Sequence, residues 1–340
     1  MDSSPRLSVS IVVPVHNGGL NFERCLLSLK ALAPGCLEII VVADGCTDAS
    51  SEVASKAGIQ VINLPGPGGP ARARNMGAGQ AKGKILFFID ADVTVLSDAV
   101  TQIGLAFDRE PELAAVIGSY DDSPGQTNFL SQYKNLLHHY THQTGREEGS
   151  TFWGACGAIR RDIFFKMGGF NQNYRKPSVE DIELGYRLRR AGYKIRLLKS
   201  LQVKHLKGWG VISLLKSDIL YRAVPWTELI LRDRMFIDDL NLKMAGRISV
   251  FLVYGLLISL LVAMRLPGAL LISVIMGLAL FGINFAVYRF FKTKRGLCFT
   301  LKAVLWHWFY YGYCGLGFIL GVICYQWRRI KLFSGNRSAG

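Results

Sequence analysis

Uninterrupted apolar runs alternate with helically spaced apolar positions along the first part of the chain. Val9–Val15 and Lys84–Asp90 are almost entirely apolar, which is typical of strands buried on both faces of a sheet. From Asn17 the apolar residues recur three and four positions apart, which predicts a helix that ends at Pro34-Gly35. The same rhythm predicts further strands and helices at Glu38–Ala43, Thr47–Ala57, Ile59–Leu64 and from Pro70 to about Lys82. This β-α-β-α order predicts an α/β fold with a mostly parallel, Rossmann-type sheet and helices on both faces.

The pattern is less regular beyond residue 113. Strands and helices are still predicted there, at Ala114–Ser119, Asn128–His142, Ala155–Arg160, Asp181–Ala191 and Tyr193–Leu198. In open α/β sheets, ligands bind at the carboxyl ends of the strands. The polar segments Pro14–Asn17, Asp44–Asp48 and Asp90–Asp92 each follow a predicted strand, so we expect one site along that edge.

Three long apolar runs dominate the C-terminal part. Ile248–Met264 has seventeen residues and Gly268–Tyr288 has twenty-one, and neither contains a charge. At about 1.5 Å per helical residue each is long enough to cross a hydrocarbon layer of about 30 Å, the first only barely. Leu297–Trp327 is apolar and aromatic, and the pattern leaves open whether it crosses the membrane or lies in the interface.

The charge distribution separates the chain in the same way. The net charge is +15, and the last hundred residues contain twelve Lys and Arg but no Asp or Glu. Because these cations flank apolar runs, they indicate contact with membrane lipids, and we expect no nucleic-acid partner. We predict a catalytic domain at 1–206, amphipathic interfacial linker helices at 207–246 and a C-terminal helical membrane region at 247–340, with two to three helices.

The basic loops and the cysteines indicate the cellular compartment and the orientation in the membrane. The loop 289–295 and the tail 328–337 are both positive, so both favour the cytoplasm, which a single span between them cannot satisfy. Seven cysteines without CxxC spacing argue against a disulfide framework and a structural zinc site. No signal peptide is predicted at the N-terminus. We expect a multi-pass protein of the cell membrane whose catalytic domain faces the cytoplasm.

Asp90 and Asp92 are the candidate metal ligands. They follow a predicted strand, and side chains at i and i+2 of an extended chain point the same way. Paired oxygen ligands suit Mg²⁺ or Mn²⁺, which are usually shared with a diphosphate. DxD by itself also fits a solvated strand end or a helix cap. His205 is a candidate third ligand, although a lone histidine is more often structural.

Two loops have the composition of nucleotide-binding segments. Asp44 opens the polar segment after the second strand, where such a segment either holds a base or ribose or forms an ordinary turn with a helix cap. The Gly/Pro loop that begins at Gly66 leads into a helix with Arg72 and Arg74 near its start. Helix starts bind anions through backbone N–H groups, and arginine adds bidentate phosphate contacts. No GKS or GKT follows, so this segment is not a P-loop.

Glu180 and Asp181 open a strongly predicted helix. Acids in a first turn interact favourably with the helix macrodipole, and this accounts for them without any catalytic role. The functional interpretation is a general base that deprotonates an acceptor hydroxyl. The position of the pair by itself leaves both interpretations open.

Taken together, five segments in this order resemble family-2 glycosyltransferases with the GT-A fold. They are VSIVVPVHN, EIIVVADGCTDAS, ARARNMGAGQAKGKILFFIDADV, GACGAIRRDIFFKMGGFNQ and VEDIELGYRLRRAGYKI, and they cover roughly residues 8–200. The resemblance implies a nucleotide-diphosphate-sugar donor, a divalent cation at the DxD, and inversion at the anomeric carbon. QxxRW, expected in processive synthases of this family, is absent, which favours transfer of one sugar per encounter.

The resemblance also implies roles for single residues on the donor side. Pro14 and Asp44 match the loops that hold the nucleoside. Asp90 and Asp92 match the DxD, and Asp92 is the more direct metal ligand. The second motif departs from the family pattern, because Ala43 and Cys46 stand where an acid and a serine are usual.

On the acceptor side, Asp181 matches the catalytic base and Glu180 its neighbour near the acceptor. Gly168–Phe170 matches a segment that lines this side. A membrane anchor would keep the site near a lipid-linked acceptor or a growing cell-surface glycan.

Three other functions remain open at this stage. One is a processive polysaccharide synthase, but this chain has too few predicted spans and lacks QxxRW, and both features count against that interpretation. A catalytically silent membrane scaffold that retains the fold is opposed by the intact Asp90, Asp92 and Asp181. A nucleotidyltransferase also uses paired acids and a Gly/Arg loop, but it releases pyrophosphate instead of a nucleoside diphosphate.

Overall fold

The computed structural model describes residues 7–32, 35–235 and 240–335. The chain divides into two compact units, an N-terminal unit of Met1–Gly208 and a helical unit of Trp209–Gly340. The predicted helix end at Pro34 and the last residues of the basic tail, 336–337, lie outside the described residues.

One eight-stranded mixed sheet forms the N-terminal unit, in the order β3-β2-β1-β4-β7-β6-β8-β5. Its strands are β1 (Val9–Val15), β2 (Glu38–Asp44), β3 (Gln60–Leu64), β4 (Ile85–Ile89), β5 (Val93–Val95), β6 (Leu113–Tyr120), β7 (Cys156–Arg160) and β8 (Lys194–His205). Its helices are α1 (Gly19–Lys30), α2 (Ser50–Lys56), α3 (Pro70–Gln80), α4 (Ala99–Arg109), α5 (Phe129–Gln143), α6 (Arg161–Lys166) and α7 (Glu180–Arg190). The predicted α/β fold class is confirmed.

The two halves of the sheet differ in strand direction. In the first half β3, β2, β1 and β4 are parallel, as the alternation of strands and helices predicted. In the second half β7 runs antiparallel to both β4 and β6, and β5 runs antiparallel to β8. The sheet is therefore mixed. The sequence did not predict the antiparallel strands, because a strand's apolar pattern does not encode the direction of its neighbours.

The longest strand extends beyond its predicted end. The apolar pattern predicted Tyr193–Leu198, whereas β8 continues to His205. Its last residues pair with β5, which was not predicted because three residues are too few to show a period. In this pairing Val93 lies opposite His205, which brings the DxD segment to the end of β8.

The pairing of β1 with β4 ends before its pairing with β2. The two strands pair from Val9 to Val12, while β1 stays paired with β2 as far as Val15. Pro14 lies beyond the last pair with β4, in a position where a residue without an N–H group costs no ladder hydrogen bond on that side. Because these strands are parallel neighbours, the carboxyl ends of β2, β1 and β4 lie side by side at one edge of the sheet.

The helical unit contains α8 (Val211–Lys216), a π-helical segment (Ser217–Ala223), α9 (Val224–Asp233), α10 (Met244–Ala263), α11 (Ala269–Ile283) and α12 (Phe285–Gly335). Two helical stretches, Met244–Ala263 and Phe285–Lys331, are long and apolar enough to cross a membrane by length and composition.

The second predicted apolar run is divided between two helices. The sequence predicted one helix over Gly268–Tyr288, but α11 ends at Ile283 and α12 begins at Phe285, with the polar Asn284 between them. A second break follows at Gly296, whose φ of 80° is non-helical. The third predicted run, Leu297–Trp327, lies in the uninterrupted helix after that glycine.

Candidate active site

Polar side chains connect the loops after β1 and β2. Asn17 adopts a φ of 51°, in the left-handed region that asparagine tolerates better than most residues. Its Oδ1 accepts hydrogen bonds from the backbone N–H groups of Thr47 and Asp48, at 2.8 and 3.3 Å. These hydrogen bonds hold the two loops together.

Asp44 is buried at the end of β2 and is bonded to the Gly/Pro loop. Its carboxylate accepts N–H groups from Gly68, at 2.9 and 3.0 Å, and from Gly69, at 2.7 Å. Asp44 therefore fixes the loop that precedes α3. The predicted contact of Pro14 and Asp44 with a nucleoside stays a prediction.

Arg74 links the ends of β4 and α7. One guanidinium nitrogen donates to Asp90 Oδ1 at 2.6 Å and another donates to Glu180 Oε1 at 2.9 Å. The Arg74 and Glu180 side chains are each only 5% exposed, whereas that of Asp90 is 33% exposed, so the Glu180 side of this bridge is shielded from solvent. Two acidic residues far apart in the sequence thus meet on a single cation.

The surroundings of Arg74 favour its charged form. Burial alone would lower the pKa of Arg74, but the charges of Asp90 and Glu180 have the larger effect and raise the pKa above its usual value. The guanidinium therefore stays charged. Buried and already bonded to two carboxylates, Arg74 is poorly placed for the phosphate contact predicted from the helix start. Arg72, two residues earlier in α3 and half-buried, remains the candidate for that contact.

Asp181 lies beside the bridge, in the first turn of α7. Its Oδ2 accepts the backbone N–H of Gly154 at 3.0 Å, and Oδ1 accepts that of Ile182 at 2.8 Å. Asp181 is partly exposed, whereas the neighbouring Glu180 is buried. The structure therefore separates the pair, with Glu180 held by Arg74 and Asp181 oriented by backbone donors.

Asp92 and His205 face each other across the β5–β8 pairing. Asp92 Oδ2 lies 3.8 Å from His205 Nε2, and the backbone N–H of Leu206 donates to the Asp92 carbonyl at 2.8 Å. Burial would raise the pKa of Asp92, but the adjacent His205 and the charge of Lys207 outweigh it and lower the pKa.

Asp92 and His205 are the candidate pair for holding a divalent cation with few protein ligands. Their separation of 3.8 Å is longer than a hydrogen bond, and it is within about 1 Å of the roughly 3 Å that separates two neighbouring ligands at about 2.1 Å from one octahedral ion. No group of three or more His, Cys, Asp or Glu side chains is placed to hold a metal within the described parts of the chain. The predicted three-ligand set is thus not assembled, because Asp90 is bonded to Arg74.

The predicted acceptor-side segment packs against the same helix as Arg74. Asn75 donates to the Phe170 carbonyl at 2.8 Å and accepts the Phe170 N–H at 2.9 Å. The Phe170 ring centre lies 5.4 Å from the Arg74 guanidinium carbon. A shallow depression of about 500 Å³ adjoins this segment, lined by Gly168, Gly169, Phe170, Asn171, Gln172, Asn173, Glu183 and Arg187.

The sequence reasoning missed an aromatic cluster next to His205. The Tyr120 ring stacks on His205 with the ring centres 4.4 Å apart, and it also contacts His138 and Trp153. The signal was present in α5, where histidines recur among apolar residues, but a helical pattern does not reveal which strand the helix covers.

Comparisons with known proteins agree with the sequence motifs. Residues 10–168 match the model of glycosyl transferase family 2, and residues 135–209 match that of the N-terminal domain of galactosyltransferase. The probable glycosyltransferase YdaM of Bacillus subtilis is 28% identical over 204 residues, which is 55% of this chain and 48% of YdaM. The pre-mycofactocin glycosyltransferase of Mycobacterium tuberculosis is 28% identical over 208 residues, 58% of this chain and 42% of that protein. The chain thus spans about half the length of these curated relatives.

Solved structures share the fold at low identity. Mannosyltransferase PcManGT from Pyrobaculum calidifontis, in complex with GDP-Man and Mn²⁺, matches with a TM-score of 0.51 and 15% identity, over 96% of this chain and 89% of its own. TarS 1–349 of S. aureus, in complex with UDP-GlcNAc, also has a TM-score of 0.51, with 17% identity over 67% of this chain and 66% of that one. Residues 10–168 belong to glycosyl transferase family 2, and the resemblance noted in the sequence is confirmed.

Proposed function

We propose that this family-2 protein is an inverting, metal-dependent glycosyltransferase. It moves one sugar from a nucleotide-diphosphate donor to an acceptor hydroxyl, on a lipid-linked molecule or a growing cell-surface glycan. The glycosyltransferase names of the relatives support the activity class, and the donors and Mn²⁺ in the related structures support the donor class and the cation.

The Arg74 bridge is the observation that carries this proposal. It joins the Asp90 end of β4 to the Glu180 end of α7 through contacts of 2.6 and 2.9 Å. A sugar transferase needs its diphosphate-binding acids and its base on opposite sides of one sugar, and the bridge brings the two segments to one place.

Asp181 is the proposed general base. The Gly154 N–H bonded to Oδ2 fixes the direction of the Asp181 carboxylate, and the partial exposure of this side chain leaves it open to an incoming hydroxyl. Taking the proton as the new glycosidic bond forms would raise the nucleophilicity of the acceptor oxygen.

Asp92 and His205 are the proposed holders of Mg²⁺ or Mn²⁺. When bound, the cation neutralises the negative charge that develops on the departing nucleoside diphosphate. Arg72 near the start of α3 would add a second positive group on the same side. Asp44 keeps the loop before α3 in place through Gly68 and Gly69.

We also propose that the helical unit anchors the protein in the cell membrane as a multi-pass region, with the N-terminal unit in the cytoplasm. The two long apolar helical stretches and the acid-free, basic last hundred residues support this. Residues 211–222 support an interfacial linker, because exposed Ile212 and Leu220 accompany Lys216 and Arg222.

The test is a screen of nucleotide-sugars with the full chain in detergent, scored by the released nucleotide product. Nucleoside diphosphate is expected, while pyrophosphate would show a nucleotidyltransferase instead. Nuclear magnetic resonance of the product would report the anomeric configuration, and retention would contradict inversion.

Asp181→Asn is the variant that tests the proposed general base. It should lower turnover by about 10²–10⁴-fold while donor binding, measured by calorimetry, is unchanged. Asp162→Asn is its control, because Asp162 also lies in the first turn of a helix but is exposed and away from the bridge. If both variants lost turnover equally, Asp181 would not be the general base.

A further inference from the structure

Tyr120 is held rigidly against the proposed cation site. Its ring is parallel to that of His205 within 20°, with the centres 4.4 Å apart. Two other rings enclose it, Trp153 edge-on at 4.9 Å and His138 at 4.5 Å. A ring packed on several sides has few rotamers available, so it restricts the imidazole on which it stacks.

The backbone of Tyr120 is fixed by its pairing with Val203 of β8 and by side chains of α5. β6 pairs with β7 as far as Ile117, and from Gly118 side chains of α5 bond to its carbonyls. Asn135 donates to the Asp121 carbonyl at 2.6 Å, while Nδ1 of His139 and His142 lies 2.7 and 3.0 Å from the carbonyls of Tyr120 and Gly118. These three residues share one face of α5, since they are four and three positions apart.

The imidazole itself is connected to the sheet and to Asp92. The β5–β8 pairing fixes the backbone of His205, and Nε2 lies 3.8 Å from Asp92 Oδ2. Backbone pairing does not fix the rotation of the ring about its χ angles. The stacked Tyr120 ring supplies that constraint, because turning the imidazole out of plane would lose the stacking contact.

We propose that Tyr120 is a positioning residue that orients His205 for a divalent cation. The inference rests on the proposed function, because it takes Asp92 and His205 to be the cation ligands. Holding a ligand ring in its binding orientation before the metal arrives removes an entropic cost from binding. The aromatic face of Tyr120 carries this effect, so phenylalanine should replace it and an aliphatic side chain should not.

The experiment titrates the full detergent-solubilised chain with Mn²⁺ alone and follows the free-ion signal by electron paramagnetic resonance. Asp92→Asn and His205→Ala should each weaken Mn²⁺ binding. Tyr120→Val, which keeps a strand-forming residue in β6, should raise the dissociation constant about 10-fold. Tyr120→Phe should keep the affinity of the unchanged protein. Tyr193→Leu is the control, a tyrosine that packs with Lys166 instead.

The outcomes distinguish an error in the proposed cation site from an error in the positioning role of Tyr120. If Asp92→Asn and His205→Ala leave Mn²⁺ binding unchanged, the cation site itself is wrong. If they weaken it and a folded Tyr120→Val variant does not, only the positioning role is overturned. Equal weakening by Tyr120→Phe and Tyr120→Val would also overturn it, because the hydroxyl and not the ring would then be responsible. If the Tyr120→Val variant does not fold, Tyr120→Met replaces it, and the same loss of Mn²⁺ affinity is expected.

Discussion

Both units bury polar side chains, but the N-terminal unit buries ions and the apolar helices of the helical unit bury neutral groups. In the N-terminal unit Arg74 is enclosed between Asp90 and Glu180. In the helical unit Asn284 donates to Ser249 at 2.9 Å and accepts from the Tyr311 hydroxyl at 2.7 Å.

The difference reflects what each unit needs from its buried groups. A carboxylate that takes part in chemistry must be charged and aimed, and a buried partner cation keeps it so at the cost of desolvation. Helices in apolar surroundings need only directional links, and neutral hydrogen bonds provide them without a charge to desolvate. Asp218, buried before the first long apolar helix, accepts a hydrogen bond from Tyr313 at 2.9 Å and shows that the helical unit also tolerates an acid outside those helices.

Removing the buried cation should have the largest effect on stability. Arg74→Met leaves two carboxylates facing each other, and we expect it to lower the free energy of unfolding of the N-terminal unit by about 3–5 kcal/mol. Hydrogen exchange of β4 and α7 in the full chain would locate the loss. Arg72→Met is the matched control and should cost less than about 0.5 kcal/mol while weakening donor binding. Equal destabilisation by both substitutions would show that the bridge is not what holds these segments.

Glycine substitutions compare the packing of the two units. A Cβ at Gly185 of α7 would lie 2.2 Å from the backbone nitrogen of Phe152, whereas one at Gly315 of α12 would lie 2.5 Å from the Tyr254 ring. Backbone cannot yield as a side chain can, so Gly185→Ala should cost about 1–3 kcal/mol and Gly315→Ala less than about 1 kcal/mol. Thermal unfolding of the full chain measures both.

The control for this pair is Gly277→Ala. The nearest atom to its added Cβ is in the Trp308 ring at 3.8 Å, an ordinary contact, so stability should not fall. A larger loss for Gly315→Ala than for Gly185→Ala would contradict the expectation that the backbone at Phe152 yields less than the Tyr254 ring does.

Breaking a neutral link should have the smallest effect. Asn284→Ala removes the partner of Ser249 and Tyr311, and hydrogen bonds between helices in apolar surroundings contribute about 1 kcal/mol. Thermal unfolding in detergent should report that modest loss, and Leu271→Ala at an exposed position of α11 is the comparison. A loss as large as that of Arg74→Met would mean that the Asn284 link matters as much as the buried ions.

Local pattern was sufficient for much of the fold. The apolar periodicity predicted β1, β2, β4 and α7 to within a few residues, because burial imposes a period on each element separately. It missed α4, α6 and β5, and it joined α11 to the start of α12, since an asparagine between two apolar stretches does not interrupt a hydropathy pattern.

The candidate site was predicted as a set of residues but not as an arrangement. The motifs named Asp90, Asp92, Glu180, Asp181 and His205, and the match to family 2 covers the segment that contains Asp90 and Asp92. Their partners depend on contacts between distant segments. Nothing around Arg74 in the sequence distinguishes a phosphate-binding arginine from one buried between two acids.

The sequence by itself determined the elements with a strong period, the acids at the strand ends and the acid-free character of the last hundred residues, because each is a property of neighbouring positions. Only the tertiary structure decided that Arg74 joins Asp90 to Glu180 and that His205 faces Asp92 beneath the ring of Tyr120. Those contacts arise from strand order and helix packing, which bring together residues that no local pattern connects.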